Sequence, residues 1–400
     1  MNSKPIAMFI LIVAVSMIFV GSATAARYYV NPGDSIQAAI NGADDGDTII
    51  LNDGNYTENV IVNKSVAIIS KGVDEYYSEN VDEYTRYWIF WWRYVSSHNY
   101  TYENDGSVTV SALNPRHSIF TVESDDVTIM NIQTEEESSG VYTTYYNYWL
   151  PQWNFYPRNK NVTYWEYSCF DNPMGLTGAS KSDAASIEVI GADGTQLINL
   201  VIYNNDNGIK LIDATDVTIE DVQISDSDKE GITASGCDGV YIHDCTIVDS
   251  GKRGIEIDDS VDVDMEHVLV LNSDKSGIDL SSVTGVSMYN VVADGAGKNA
   301  ICLDQCTDMD IECGAGLNGG RSGLYMNYCD DGYVGCNEFA DNDNYGMKIM
   351  YTNNVVFDTN DAHDNGEDVK EHADGASTNT WISDPDGCEC DDTSVPNEPE

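Results

Sequence analysis

Gly231-Ile-Thr-Ala-Ser-Gly-Cys-Asp-Gly-Val-Tyr-Ile-His-Asp-Cys-Thr-Ile-Val-Asp-Ser-Gly-Lys-Arg253 runs directly into Gly254-Ile-Glu-Ile-Asp-Asp-Ser-Val-Asp-Val-Asp-Met-Glu-His-Val-Leu-Val-Leu-Asn-Ser-Asp-Lys-Ser276. The two stretches align without a gap at a period of 23 residues, and the period holds for seven blocks starting at Gly208, Gly231, Gly254, Gly277, Ala300, Gly323 and Gly346. Position 2 of the block reads Ile209, Ile232, Ile255, Ile278, Ile301, Leu324 and Met347. Position 12 reads Ile219, Ile242, Met265, Met288, Ile311, Val334 and Phe357. Polar residues fill the places between, so apolar side chains recur every second residue, the period of a strand with one face buried. Gly, Asp and Asn punctuate the breaks. A single block cannot bury its inner face, whereas blocks stacked at the inter-strand distance of about 4.8 Å share one continuous core. The pattern predicts an all-β parallel β-helix, a solenoid with 23-residue rungs.

Outward from this array the pattern weakens but persists. Ser186 to Asn207 forms a 22-residue block, and Asp126-Val-Thr-Ile-Met-Asn-Ile132 echoes Asp216-Val-Thr-Ile-Glu-Asp-Val222. Asp34 to Ala43 reads as an N-capped amphipathic helix with Ile36 and Ile40 on one side, suited to covering the open end of the stack. Two insertions interrupt the early rungs and hold six of the seven tryptophans. Trp88, Trp91 and Trp92 lie in the first, and Trp149, Trp153 and Trp165 in the second. These residues are read as a small accessory core, a sugar contact or a protein interface. The expected organisation is a leader at 1–25, a cap and first rungs at 26–71, aromatic insertions at 72–105 and 136–185 around a rung at 106–135, regular rungs at 186–368 and an acidic Cys-containing tail at 369–400.

The cap segment and the rungs resemble right-handed parallel β-helix proteins of the pectate-lyase-like superfamily, with NosD-like, carbohydrate-binding-and-hydrolase repeats. The resemblance covers 33–71 and 106–368 apart from the insertions. It implies a right-handed coil. It implies little about activity, because that fold carries lyases, hydrolases, adhesins and surface-layer proteins alike. The Asn-Thr-Asp and Gly-His-Gly motifs of polygalacturonase-like members do not occur in this chain.

A formal charge of −48, from 67 acids against 19 bases, argues against nucleic acid and against an anionic membrane surface. A hydrophobic fraction of 42% with 25 Tyr rules out a disordered chain. Lys4, the apolar run Ile6 to Val20 and Ala23-Thr24-Ala25 read as a cleaved signal peptide, which predicts a secreted, cell-surface or extracellular protein with no span in the mature chain. Asn55, Asn63, Asn99 and Asn161 begin N-glycosylation sequons.

Chemistry is sparse along the rungs. Asp258, Asp259, Asp262 and Asp264 are acids that could hold Ca²⁺; no other cofactor is indicated, and no catalytic residue is assigned. Position 22 reads Lys229, Lys252, Lys275, Lys298 and Arg321, a basic ladder expected to be neutralised by Asp226, Asp228, Asp249, Asp274 and Asp294, or to serve as a cationic stripe for an acidic glycan or another copy. Among ten cysteines, Cys306 with Cys329 and Cys313 with Cys336 lie 23 apart, which predicts two rung-to-rung disulfides. Cys245 reads as a buried thiol and Cys237 has no stacked partner. Cys302, in an outward position, joins Cys169, Cys388 and Cys390 as a candidate for links between molecules.

Uniform rungs without a catalytic cluster, together with spare cysteines, predict a structural component of the cell envelope (a sheath, surface layer or extracellular filament) that forms homo-oligomers or polymers. In its acidity and sequons the chain is similar to archaeal surface proteins. The alternative is a polysaccharide-binding protein, or a polysaccharide lyase or hydrolase of the same superfamily, with a cell-surface glycan as partner.

Overall fold

A computed structural model describes residues 25–70, 79–88, 91–100, 108–131, 143–149, 174–179, 183–373 and 378–383. The leader, Cys169, Cys388, Cys390, Asn161, Trp153 and Trp165 lie outside the described residues. The chain winds into a parallel β-solenoid of about 12 turns. Each regular rung contributes three strands, as in Ile232–Ser235, Asp238–His243 and Thr246–Val248. First strands stack into an eleven-stranded sheet, while second and third strands join in a twenty-two-stranded one. Register is strict along the repeat: Ile232 pairs with Ile255, Ile255 with Ile278 and Ile278 with Ile301. The alternation read in the sequence becomes the inner face, where Ile232, Ile242, Ile257 and Leu280 are buried. The stacking continues past residue 368, through Glu367–His372 and Thr380–Ile382.

The corners account for part of the Asp content. At four places per rung the backbone turns through the left-handed region, as at Asp213 (φ 49°), Asp216 (φ 47°), Asp221 (φ 52°) and Asp226 (φ 55°). Asp and Asn tolerate that conformation because a short polar side chain bonds locally, and Gly because it has no Cβ. Asp259 and Asp262 are such corner residues (φ 49° and 51°). At position 1, Gly254 is needed for space: a Cβ there would lie 2.2 Å from Val270 Cγ1 and 2.8 Å from the Gly277 carbonyl oxygen.

The N-terminal helix α1, Ile36–Gly42, lies where the sequence places it and buries Ile36 and Ile40. Its cap is Ser35, whose hydroxyl accepts from the Ala38 N–H at 3.0 Å. The Glu58 carboxylate accepts from the Ile36 N–H at 2.8 Å and from the Ser35 hydroxyl at 2.6 Å. That arrangement satisfies orphan donors at the helix start with a negative charge the dipole favours.

Both insertions leave from the same corner on consecutive rungs. The first runs between Ala67–Ser70 and Val108–Ser111, the second between Thr128–Asn131 and Met174–Thr177. The first forms an antiparallel hairpin of Glu79–Trp88 with Trp91–Tyr100. Thr143–Trp149 from the second pairs antiparallel with Trp91–Tyr100, so the two insertions build one three-stranded sheet with Trp91–Tyr100 in the middle.

Candidate functional site

On the outer side of the first sheet, the rungs from 230 to 304 gather charged groups at the seam where one rung passes into the next. Arg253 is the centre. Its Nε donates to Asp279 Oδ2 at 2.7 Å, and its Nη1 lies 2.7 Å from Glu256 and 4.0 Å from Glu230. Lys252 donates to the same Glu230 carboxylate at 2.9 Å. Glu256 and Asp258, two residues apart on Ile255–Asp258, project to this side because the alternate residues Ile255 and Ile257 are buried. Partial burial holds both carboxyls above the usual range, with Arg253 offsetting part of the effect. Carboxyls so placed can carry a proton to or from a bound molecule nearer neutral pH than ordinary acids can.

The basic ladder is real as a register and uneven as chemistry. Backbone N–H groups of Lys252, Lys275, Lys298 and Arg321 each donate to the carbonyl of the preceding cation, at 3.0, 2.7, 2.8 and 2.8 Å. The expected partners Asp226, Asp228, Asp249, Asp274 and Asp294 do not form its ion pairs. Lys229 pairs instead with Asp183 and, at 3.0 Å, with Asp206, while Lys252 pairs with Glu230. A long side chain at the seam reaches the preceding rung more easily than the corner acids of its own, which are committed to the left-handed turns. Among the described residues no carboxylate lies within 4.0 Å of the Lys275, Lys298 or Arg321 head groups.

Beyond this stripe the same outer side turns aromatic. Lys348 Nζ lies 5.0 Å from the Tyr325 ring and 5.6 Å from the Tyr345 ring, within cation–π range. Tyr328, 56% exposed, stacks on Tyr351 at 4.8 Å. Neither pair stood out in the sequence, where the Tyr-rich insertions drew attention away from single tyrosines in the last rungs.

Two cysteine expectations change. Cys302 does lie in the outward position, yet it is only 9% exposed, covered by longer neighbours; Asp279 and Asn299 hydrogen-bond its thiol. Burial pushes that thiol up, so it is neither accessible nor reactive enough to link molecules. Cys306 and Cys329 are free thiols rather than a disulfide. They face inward, hydrogen-bond one another, and contact the carbonyls of Leu280 and Leu303, each at 3.5 Å. Parallel Cα–Cβ bonds on stacked strands keep the two Cβ atoms near the rung spacing of about 4.8 Å, wider than the roughly 3.5–4.5 Å a bridge prefers. Cys313 and Cys336, at the left-handed corner of the same rungs, are disulfide-bonded. Cys237 and Cys245 are buried thiols.

The four acids read as a Ca²⁺ candidate do not converge. Asp258 ends a first-sheet strand, Asp264 faces His243 at 3.3 Å on the second, and the other two occupy corners. Among the described residues no group of three or more His, Cys, Asp or Glu is arranged to hold a metal ion. Asn55 and Asn63 are exposed, and Asn99 lies on Trp91–Tyr100. Trp88, Trp91, Trp92 and Trp149 all lie on the three-stranded sheet.

Residues 166–291 and 276–395 match the right-handed beta helix region family, which covers more than half of the chain; the protein belongs to that family. No curated protein sequence matches the chain. Solved structures share the fold at low identity. The mannuronan C-5 epimerase A-module from Azotobacter vinelandii is 11% identical with a TM-score of 0.50, over 87% of this chain and 93% of that one. The periplasmic alginate epimerase AlgG is 10% identical with a TM-score of 0.43, over 89% and 82%. The pectate lyase Pel9A is 13% identical with a TM-score of 0.41, over 90% and 80%.

Proposed function

We propose that this protein is a polysaccharide-active member of the β-helix family whose first-sheet outer side takes an acidic polysaccharide. The observation that carries the reading is the stripe of three cations with no carboxylate partner among the described residues, Lys275, Lys298 and Arg321, on rungs that follow on from the raised carboxyls of Glu256 and Asp258. In a chain with 67 acids, cations that no carboxylate holds stay free to meet an anionic ligand. Their spacing of about 4.8 Å along the stack suits a chain molecule laid along the solenoid better than a compact ligand. A structure of the same fold whose name identifies an epimerase of mannuronan supports the substrate class.

Titration of the protein with polymannuronate, polygalacturonate and a neutral glucan tests this directly. The acidic polymers are expected to bind, with an affinity that falls as salt rises, and K275Q/K298Q/R321Q is expected to weaken binding tenfold or more. Equal binding of the neutral glucan, or an unchanged affinity in the triple variant, would overturn it. Turnover is then measured with Glu256→Gln and Asp258→Asn.

Envelope assembly has less support, since Cys302 is buried. Sedimentation of native material with and without thiol reductant decides between the two readings. Large particles that fall to single chains only on reduction would restore the assembly reading.

A further inference from the structure

The stripe at position 22 accounts for attraction to a polyanion but not for a choice among polyanions, since lysine and arginine meet phosphate and carboxylate alike. The last rungs of the same outer side add different chemistry. One outward column runs Glu256, Asp279, Cys302, Tyr325, Lys348 and Lys370, each paired in register with the next. It passes from acids held by Arg253, through an aromatic ring, to cations. Tyr325 and Lys348 project outward because Leu324, Met326, Met347 and Ile349 beside them are buried. The Tyr345 backbone N–H donates to the Arg321 carbonyl at 2.9 Å, which ties this group to the last cation of the stripe. Among the described residues Lys348 forms no ion pair; its Nζ lies instead 5.0 Å from the Tyr325 ring and 5.6 Å from the Tyr345 ring. Neither of these phenol hydroxyls has a hydrogen-bond partner among the described residues. Three residues past Tyr325, at most about 10 Å along the strand, Tyr328 turns out at a left-handed corner (φ 52°). It stacks on Tyr351 and is 56% exposed.

We infer that Lys348, Tyr325, Tyr345 and Tyr328 form a sugar-reading subsite at this end of the stripe, which takes a uronate unit and so separates polyuronates from other polyanions. The inference rests on the stripe being a polysaccharide site and adds the selectivity that the stripe lacks. A uronate unit offers a carboxylate, hydroxyls and a face of C–H bonds together. Lys348 supplies charge for the carboxylate, its ammonium steadied by two rings and not neutralised by an acid. The phenols of Tyr325 and Tyr345 can donate to, or accept from, the sugar hydroxyls. The exposed ring of Tyr328 suits the C–H face. Its stacking on Tyr351 fixes that ring before a ligand arrives, which lowers the ordering cost of binding. Polyphosphate carries the charge but neither the hydroxyls nor the C–H face, so it gains from the cations alone. The two contributions also respond differently to salt: screening weakens the cation contacts and leaves stacking nearly untouched.

The test is a titration with oligomannuronate, oligogalacturonate and inorganic polyphosphate of matched charge, at low and at high salt. Wild type should prefer the uronates, and the preference should widen as salt rises. Tyr328→Asn removes the ring while suiting the left-handed corner, and should lower uronate affinity about fivefold with polyphosphate unchanged. Lys348→Gln should lower uronate affinity by about fivefold and polyphosphate by no more than about twofold. Tyr325→Phe with Tyr345→Phe, which keeps both rings beside Lys348, should lose a smaller factor, about threefold. Thermal transitions report whether each variant is folded. Equal wild-type affinity for polyphosphate and the uronates would overturn the inference, as would variants that weaken both ligands in parallel. K275Q/K298Q/R321Q keeps the two readings apart, since it should weaken both kinds of polymer. Binding that depends on the triple substitution but not on Tyr328 or Lys348 leaves the stripe standing and removes the subsite. If no anionic polymer binds at all, the stripe reading fails and this one with it.

Discussion

The basic ladder divides into two halves with one backbone geometry and opposite surroundings. Lys229 and Lys252 sit beside Asp206 and Glu230, which are nearly buried, and Arg253 adds contacts to Glu256 and Asp279. Lys275, Lys298 and Arg321 continue the same hydrogen-bonded column with no carboxylate of the described residues in reach. The repeat accounts for the column but not for the pairing. Position 23 accounts for the change after Lys252: it is Glu230 and Arg253 in the first half, then Ser276, Asn299 and Ser322, while Lys229 draws on Asp183 and Asp206 of the earlier rung. Charged groups at that place knit the seam between rungs, and small neutral ones leave the next cations to solvent or to a ligand. One half of the ladder is therefore read as structural and the other as available.

Substitutions should separate these roles. Arg253→Met should have the largest effect, a loss of about 2–3 kcal/mol in denaturant unfolding, because it strands Glu256 and Asp279 together with half-desolvated charge. Lys252→Met should cost about 1–2 kcal/mol, since Glu230 is 5% exposed and would keep only the distant Arg253. A stability change at Lys275 as large as at Lys252 would erase the distinction between the halves. The triple substitution K275Q/K298Q/R321Q should instead leave the thermal transition within about 0.5 kcal/mol of wild type, while acidic-polysaccharide affinity falls tenfold or more.

The converse case is a carboxylate without a cation. Burial, with Asp244 and Glu220 beside it, raises Asp221 to about 6. A raised acid favours the folded state while it is protonated. The penalty therefore grows as pH rises from about 4, the unfolded value, to about 6, and stays constant above. Asp221→Asn, which keeps a residue suited to the left-handed corner, should stabilise by about 1 kcal/mol at pH 7 and by nothing near pH 3. Melting curves at the two pH values check it. A gain of equal size at both would mean that the effect is not electrostatic.

Much of the molecule is legible in its residues alone. The two-residue alternation in Ile232, Ala234 and Ile242 reports the inner face directly, because a strand sends alternate side chains to opposite sides. Helix α1 was legible from Ile36 and Ile40, although the cap proved to be Ser35 with Glu58 reaching in from the connection between Gly54–Thr57 and Val60–Val62. The sequence reading stopped short at outward groups. Cys302 occupies an outward position, but its exposure depends on the length of its neighbours. Cys306 and Cys329 share a position, but sharing one does not orient two sulfurs toward a bridge. The seam around Arg253 was missed because its partners come from three different rungs, and the acids that drew attention, Asp259 and Asp262, turned out to be turn formers.

The rung, its period, the inner columns and the corners are all written in the order of residues, because each depends on the conformation of a few neighbours repeated in register. Which cations are paired, which cysteine is covered, and that strands more than forty residues apart, one from each insertion, join in a single sheet emerge only once the chain is packed. Those outcomes depend on how far a side chain reaches across a rung and on which strands meet beyond the solenoid. Neither distance is written in any local pattern of residues.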